Sequence, residues 1–233
     1  MPAPRFDIYA PIHKGMRAFF AHMLVAVGRL DGEDHEEVAA VMAELEELLD
    51  FCRRHLDKEN RYLHPALEAR RPGATAAIVA DHEEHQREID ALAAQAFTIR
   101  HLPALRRERV LQDLYRQLTH FIADNLAHMA VEERDNNQLL WETHSDAEIM
   151  AIEGAIVASQ SQEEAGKTLR WMLPAMTAQE RAGFLRKMQE VAPAGTVEMV
   201  LGKVRPHLRS ADVRKLETAL GLQRQPMEFI GVV

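Results

Sequence analysis

Residues 41–68 read VMAELEELLDFCRRHLDKENRYLHPALE, and the order of apolar and polar positions within them decides the fold class. Val41, Leu45, Leu48 and Cys52 recur at steps of four, three and four, the spacing of one face of an α-helix. The same steps then land on His55, Glu59 and Tyr62. Three polar residues thus continue a stripe that faces the interior rather than solvent.

The pattern recurs on both sides of this stretch. One segment gives Ile78, then His82 and His85, then Ile89, Leu92 and Ala96. A later one runs Leu111, Leu114, Leu118, Phe121, Asn125, His128, Glu132, Asp135 and Leu139. An earlier one gives His13, Met16, Phe20, Leu24 and Val27. Each stripe turns imidazole inward, and those through His55 and His128 add a carboxylate one turn later.

Asp31-Gly32, Pro72-Gly73, Pro103 and His144–Asp146 separate these segments, which are rich in the strong helix formers Ala, Leu, Glu and Arg. Helices are expected over Ile8–Leu30, Asp34–Arg70, Ala74–Phe97 and Ala104–Glu142. No alternating β-branched run suggests a strand. Short breaks favour antiparallel neighbours, so the expected fold is all-α, an up-down-up-down four-helix bundle over residues 7–146. In that arrangement the inward histidines and glutamates gather toward one end. Residues 147–222 read as a C-terminal helical extension broken at Pro174, Pro193 and Pro206, with a capping box at Thr177 and Glu180. Residues 223–233 are expected to form a flexible tail.

Composition narrows the function classes. The chain has 233 residues and a net charge of −8, which argues against a nucleic-acid backbone as partner. No run of about 18 apolar residues offers a membrane span, and MPAPRFDIYAPIH lacks the pattern of a signal peptide. A single cysteine, Cys52, forms no internal disulfide, which suits a cytoplasmic protein and reads as a small core residue. Twelve histidines are many for this length. Of these, His22 reads as a surface residue, His120 lies off the stripe, and His35, His64, His101, His144 and His207 fall at helix ends or in loops.

Burying an unpaired carboxylate costs several kcal/mol, and an unpartnered imidazole also costs. His13, His55, Glu59, His82, His85, His128 and Glu132 together require a shared compensating charge, which a metal supplies. Imidazole with carboxylate suits iron, and also zinc or manganese. Asn125 and Asp135, interior by period, are expected to orient the ligating histidines.

HLDKENRYLHPALE (His55–Glu68) and HMAVEERDNNQLLW (His128–Trp141), with His13 and DHEEH (Asp81–His85), resemble the hemerythrin or HHE cation-binding family over roughly residues 7–143. The resemblance implies two non-haem irons, with His13, His55, His82, His85 and His128 as terminal ligands and Glu59 and Glu132 as bridges. It departs from the oxygen carriers in two places. His82 and His85 are three apart rather than four, and Glu133 stands where carriers place an aspartate. Both departures resemble bacterial members with sensing, iron-handling or stress roles.

The leading expectation is a di-iron protein that binds or senses O2, or a small oxidant such as NO or peroxide. A di-iron peroxidase or oxidase is the second reading, with Tyr62 as a hydrogen-bonding partner of the centre. A zinc- or iron-stabilised interaction module is the third. The helices after Ala147 are expected to report the state of the centre, or to bind a second copy or a protein partner.

Overall fold

Helix signals act where the sequence places them. In the computed structural model, which describes residues 5–222, Asp7 Oδ1 accepts from the backbone N–H groups of Tyr9 and Ala10 at the start of α1 (Ala10–Gly28). Asp34 caps α2 by accepting from the N–H groups of Glu36 and Glu37. α2 is α-helical over His35–Lys58, widens to a π turn over Glu59–Leu63 and returns to α-helix over His64–Arg70. It stops at Pro72-Gly73, where Gly73 takes φ 84°, a conformation open to glycine. α3 spans Ala76–His101. α4 follows a short 3-10 turn and comprises Arg107–Val131, a second π turn over Glu132–Asn136, and Asn137–Thr143.

The two π turns correct the stripe drawn at constant helical steps. A π turn bonds i to i+5 and adds a residue to the turn. Beyond Glu59 the interior therefore falls on Leu63 and Leu67, and Tyr62 is only half-buried. Beyond Glu132 it falls on Asn136 and Leu140; Asp135 is exposed and paired with Arg134. Pro65 cannot donate to the carbonyl four residues before it, which relaxes the ladder in α2. α4 holds no proline at its π turn, so the feature common to both is a buried glutamate at the first position.

α1 packs on α2, α2 on α3, α3 on α4 and α4 on α1, which makes a helical bundle. Its interior is layered. A large apolar cluster includes Met16, Phe20, Cys52, Leu56, Ile89, Phe121 and Met129. A smaller one includes Tyr9, Leu63, Leu67, Leu140 and Ile149. Between them, along α1, α2 and α4, lie His13, His55, Glu59, His128 and Glu132.

Five shorter α-helices follow among the described residues: α5 (Asp146–Ala158), α6 (Gln162–Ala175), α7 (Ala178–Val191), α8 (Thr196–Val204) and α9 (Ser210–Ala219). Capping boxes open α5 at Ser145 and α6 at Ser161, and the expected box at Thr177 opens α7. Pro174 does not break α6 but sits in its last turn. Residues 223–233, read as a tail, lie outside the described residues. No helix among the described residues is long and apolar enough to cross a membrane.

The C-terminal helices have a core of their own, including Leu173, Leu185, Val204 and Leu216. They also dock on α1 through α6. Trp171 stacks on Phe19 with ring centres 3.9 Å apart, and Lys14 pairs with Glu180 at 2.6 Å. The close approach depends on Gly15, where a Cβ would stand 3.0 Å from the Met172 Cα. Gly15→Val is therefore expected to overpack the seam and destabilise the protein by about 1–3 kcal/mol, read as a fall in the urea unfolding midpoint.

Candidate metal centre

The polar layer is built by register. Tyr9, just before α1, belongs to the small apolar cluster and Met16 on α1 to the large one, so His13 falls between them. On α2 Cys52 and Leu56 precede Glu59, and Leu63 and Leu67 follow it. On α4 Phe121 and Met129 lie on one side and Leu140 on the other, which leaves His128 and Glu132 in the layer. α3 adds His82 and His85 before Ile89 joins the core.

Each carboxylate turns one oxygen to each side. Glu132 Oε2 lies 3.4 Å from His13 Nε2, and its Oε1 lies 3.6 Å from His128 Nε2 and 3.8 Å from His82 Nε2. Glu59 Oε1 lies 3.3 Å from His55 Nε2, and its Oε2 lies 3.6 Å from His82 Nε2. The layer therefore offers two donor sets, His13–His55–Glu59–Glu132 and Glu59–His82–His128–Glu132, each with its atoms within 4.8 Å of one another. Neighbouring ligands about 2.1 Å from one ion stand roughly 3.0–3.4 Å apart, close to these spacings. The oxygens of Glu59 and Glu132 and the Nε2 atoms of His13 and His55 are buried without a hydrogen-bond partner. Such a set fits a cation and little else.

The sequence matches the hemerythrin HHE cation binding domain over residues 6–140. The chain belongs to the hemerythrin HHE cation-binding family. No curated protein and no solved structure matches it.

In this hemerythrin-family site, outer partners set which ring nitrogen faces inward. His13 Nδ1 donates to Glu133 Oε1 at 3.0 Å, and Arg17 holds the same oxygen at 2.6 Å. His82 Nδ1 donates to Asn60 Oδ1 at 2.9 Å. Both leave Nε2 as a free lone pair toward the layer, as ligating histidines require. His128 Nδ1 stands 3.6 Å from Asp81. The Nε2 atoms of His82 and His128 face one another at 3.1 Å. Glu133 thus orients a histidine from outside the layer, while Glu132 lies within it.

Six of the seven residues named from sequence fall in the two donor sets. His85 does not: it is buried, its ring centre 4.7 Å from that of His128, with Nδ1 unpartnered. Two further residues escaped the sequence reading. His64, read as a helix-end residue, is 4% exposed, has both ring nitrogens unpartnered and lies against His82 with ring centres 4.9 Å apart. Only the π turn, invisible to a constant period, carries it inward. Tyr9 is 1% exposed, its hydroxyl unpartnered and its ring centre 5.4 Å from that of His13. It stands four residues before His13, a spacing that would have flagged it. Asn125 is buried, but its amide donates to the Phe121 carbonyl rather than to a histidine. A groove of about 1080 Å³ between α2 and α3 reaches this side, with His64 and His82 among its lining residues.

Burial is the main influence on the charges of the layer. Burial and the neighbouring Glu132 push the Glu59 carboxyl well above its ordinary value. Burial acts on Glu132 likewise, but the facing rings of His13 and His82 outweigh it and keep that carboxyl low. Burial lowers His55 and His128, and takes His64 and His85 down to about 4. His13 is the exception, since Glu132 and Glu133 overcome its burial and raise it.

Histidines held neutral when folded give stability that is present above the unfolded value of about 6.5 and lost as pH falls toward the folded one. His13 and Glu59, both raised, oppose that trend, while Glu132 and Glu133, both held low, add to it below the ordinary carboxylate range. Four lowered histidines prevail. The metal-free protein is expected to lose stability steadily between pH 6.5 and 4, seen as a falling urea midpoint.

Proposed function

We propose that this domain is an antiparallel up-down-up-down four-helix bundle, residues 7–146, holding two irons that bind or sense O2 or a small oxidant such as NO or peroxide. The observation that carries this reading is the two-sided presentation of Glu59 and Glu132, each with one oxygen toward either histidine pair. Two histidines and two shared carboxylates per position are fewer donors than an octahedral ion accepts, which leaves room for an exogenous ligand. When bound, the irons supply electron transfer and the ligand-binding position. The protein supplies the charge balance, the inward nitrogens and a dry enclosure, with the α2–α3 groove as the approach for a small ligand. One buried, unpaired cysteine supports a cytoplasmic location. Net charge −8 supports a partner other than nucleic acid. The docking of the C-terminal helices on α1 beside His13 supports a role in passing the state of the centre to a second copy or a protein partner.

Metal analysis of the aerobically purified protein tests this. About two irons per chain are expected, with a charge-transfer absorption that bleaches on reduction and returns in air. One zinc per chain with no such change would favour a structural metal. His55→Ala and Glu132→Ala are each expected to lose most of the metal, read as metal per chain.

A second reading, a di-iron peroxidase or oxidase, is favoured by one observation: Tyr9 buries an unpartnered hydroxyl beside His13. Burial, with the charges of Glu132 and Glu59, raises its pKa well above the ordinary value, so it stays a protonated donor. If the protein turns over peroxide, Tyr9→Phe is expected to lower kcat by about 10²-fold while iron content holds. The half-buried Tyr62, replaced by Phe, is expected to change kcat less than Tyr9→Phe.

A further inference from the structure

His85 is a buried imidazole that the two donor sets do not use. What surrounds it on the outward side is acidic. Asp81, His85 and Glu88 follow one another at steps of four and three on α3, and His120, Asp124 and His128 at steps of four on α4. Residues so spaced share a helix face, and α3 packs on α4. Asp81 and Asp124 are exposed, Glu88 is half-buried, and His85 and His128 are buried, so the seam descends from solvent to the metal layer.

Three buried atoms along this descent have no hydrogen-bond partner: Glu88 Oε2, His85 Nδ1 and His128 Nδ1. Asp81 ends the line 3.6 Å from His128 Nδ1. Between residues 81–88 and 120–128 the only basic side chain besides histidine is Arg87, and Glu84 occupies it at 2.7 Å. Glu88 is raised by burial and then by the charges of Asp124 and Glu84, a crowding that a passing cation would relieve.

We propose that the α3–α4 seam is a loading route for divalent transition cations. Asp81, Asp124 and Glu88 collect the ion, and His85 takes it from them and passes it to the position held by His82 and His128. This explains a histidine that is buried and adjacent to the centre, yet outside both donor sets. It also gives the two positions different histories, because the His82–His128 position lies on the route and the His13–His55 position beyond it. The step is ligand exchange alone: His85 Nδ1 replaces a carboxylate or water on the ion, and is itself replaced by His128 Nε2. The inference rests on the reading that the layer holds metal.

Co²⁺ is a suitable probe, since its visible absorption reports both rate and stoichiometry. Metal-free protein is mixed with Co²⁺ at low ionic strength, and the uptake rate and final Co²⁺ per chain are recorded. Glu88→Gln with Asp124→Asn, and separately His85→Gln, are expected to slow uptake roughly ten-fold without changing the final amount. A remote acidic pair, Glu36→Gln with Glu37→Gln, is expected to leave both unchanged. Unaltered rates in the seam variants would overturn the route. A lower final amount in His85→Gln would also overturn it, because His85 would then be a resident ligand. A wild-type chain that takes up no Co²⁺ would remove the centre itself, an outcome distinct from either.

Discussion

Two glutamates, Glu59 and Glu132, lie 2% and 0% exposed in the middle of a helical bundle, and the site depends on how their charge is met. Isolated carboxylates there would cost several kcal/mol each. Burial and the neighbouring Glu132 push the Glu59 carboxyl up, while His13 and His82 stabilise the charge on Glu132. That arrangement leaves oxygens and ring nitrogens unpartnered. Cations between the carboxylates would complete those contacts and balance their charge.

The surrounding structure serves this layer. Apolar clusters close it on both sides, and α2 and α4 change register where they cross it, so that a glutamate, an inward histidine and the next apolar residue all find the interior. Paired π turns at Glu59 and Glu132 accomplish this on α2 and α4. A turn of that kind weakens the local ladder, and it survives where the site repays it. α5 packs on the π turn of α2, and α6 docks on α1 next to His13, so the C-terminal helices brace the centre as well as covering it.

How much of this could be read from residues alone depends on periodicity. Up to Glu59 and Glu132 the constant helical step holds, and the six donors His13, His55, Glu59, His82, His128 and Glu132 were legible because each interrupts an apolar stripe. Beyond those glutamates one extra residue shifts the stripe, which is why Tyr62 and Asp135 were read as interior and His64 and Asn136 were not. Tyr9 precedes the helix proper and escaped for a different reason, since its stripe was begun at His13. The HHE family was legible from the two H-x3-E motifs, and the match over residues 6–140 establishes it. His85 shares the buried stripe of α3, and periodicity cannot separate a ligand from a neighbour three residues away.

The central claim is that two cations share Glu59 and Glu132. Anomalous diffraction at the iron edge from crystals of the iron-loaded protein tests it most directly. The account predicts two peaks, each within bonding distance of both glutamates, one beside His13 and His55 and the other beside His82 and His128. A single peak, or two peaks that share neither carboxylate, would contradict it.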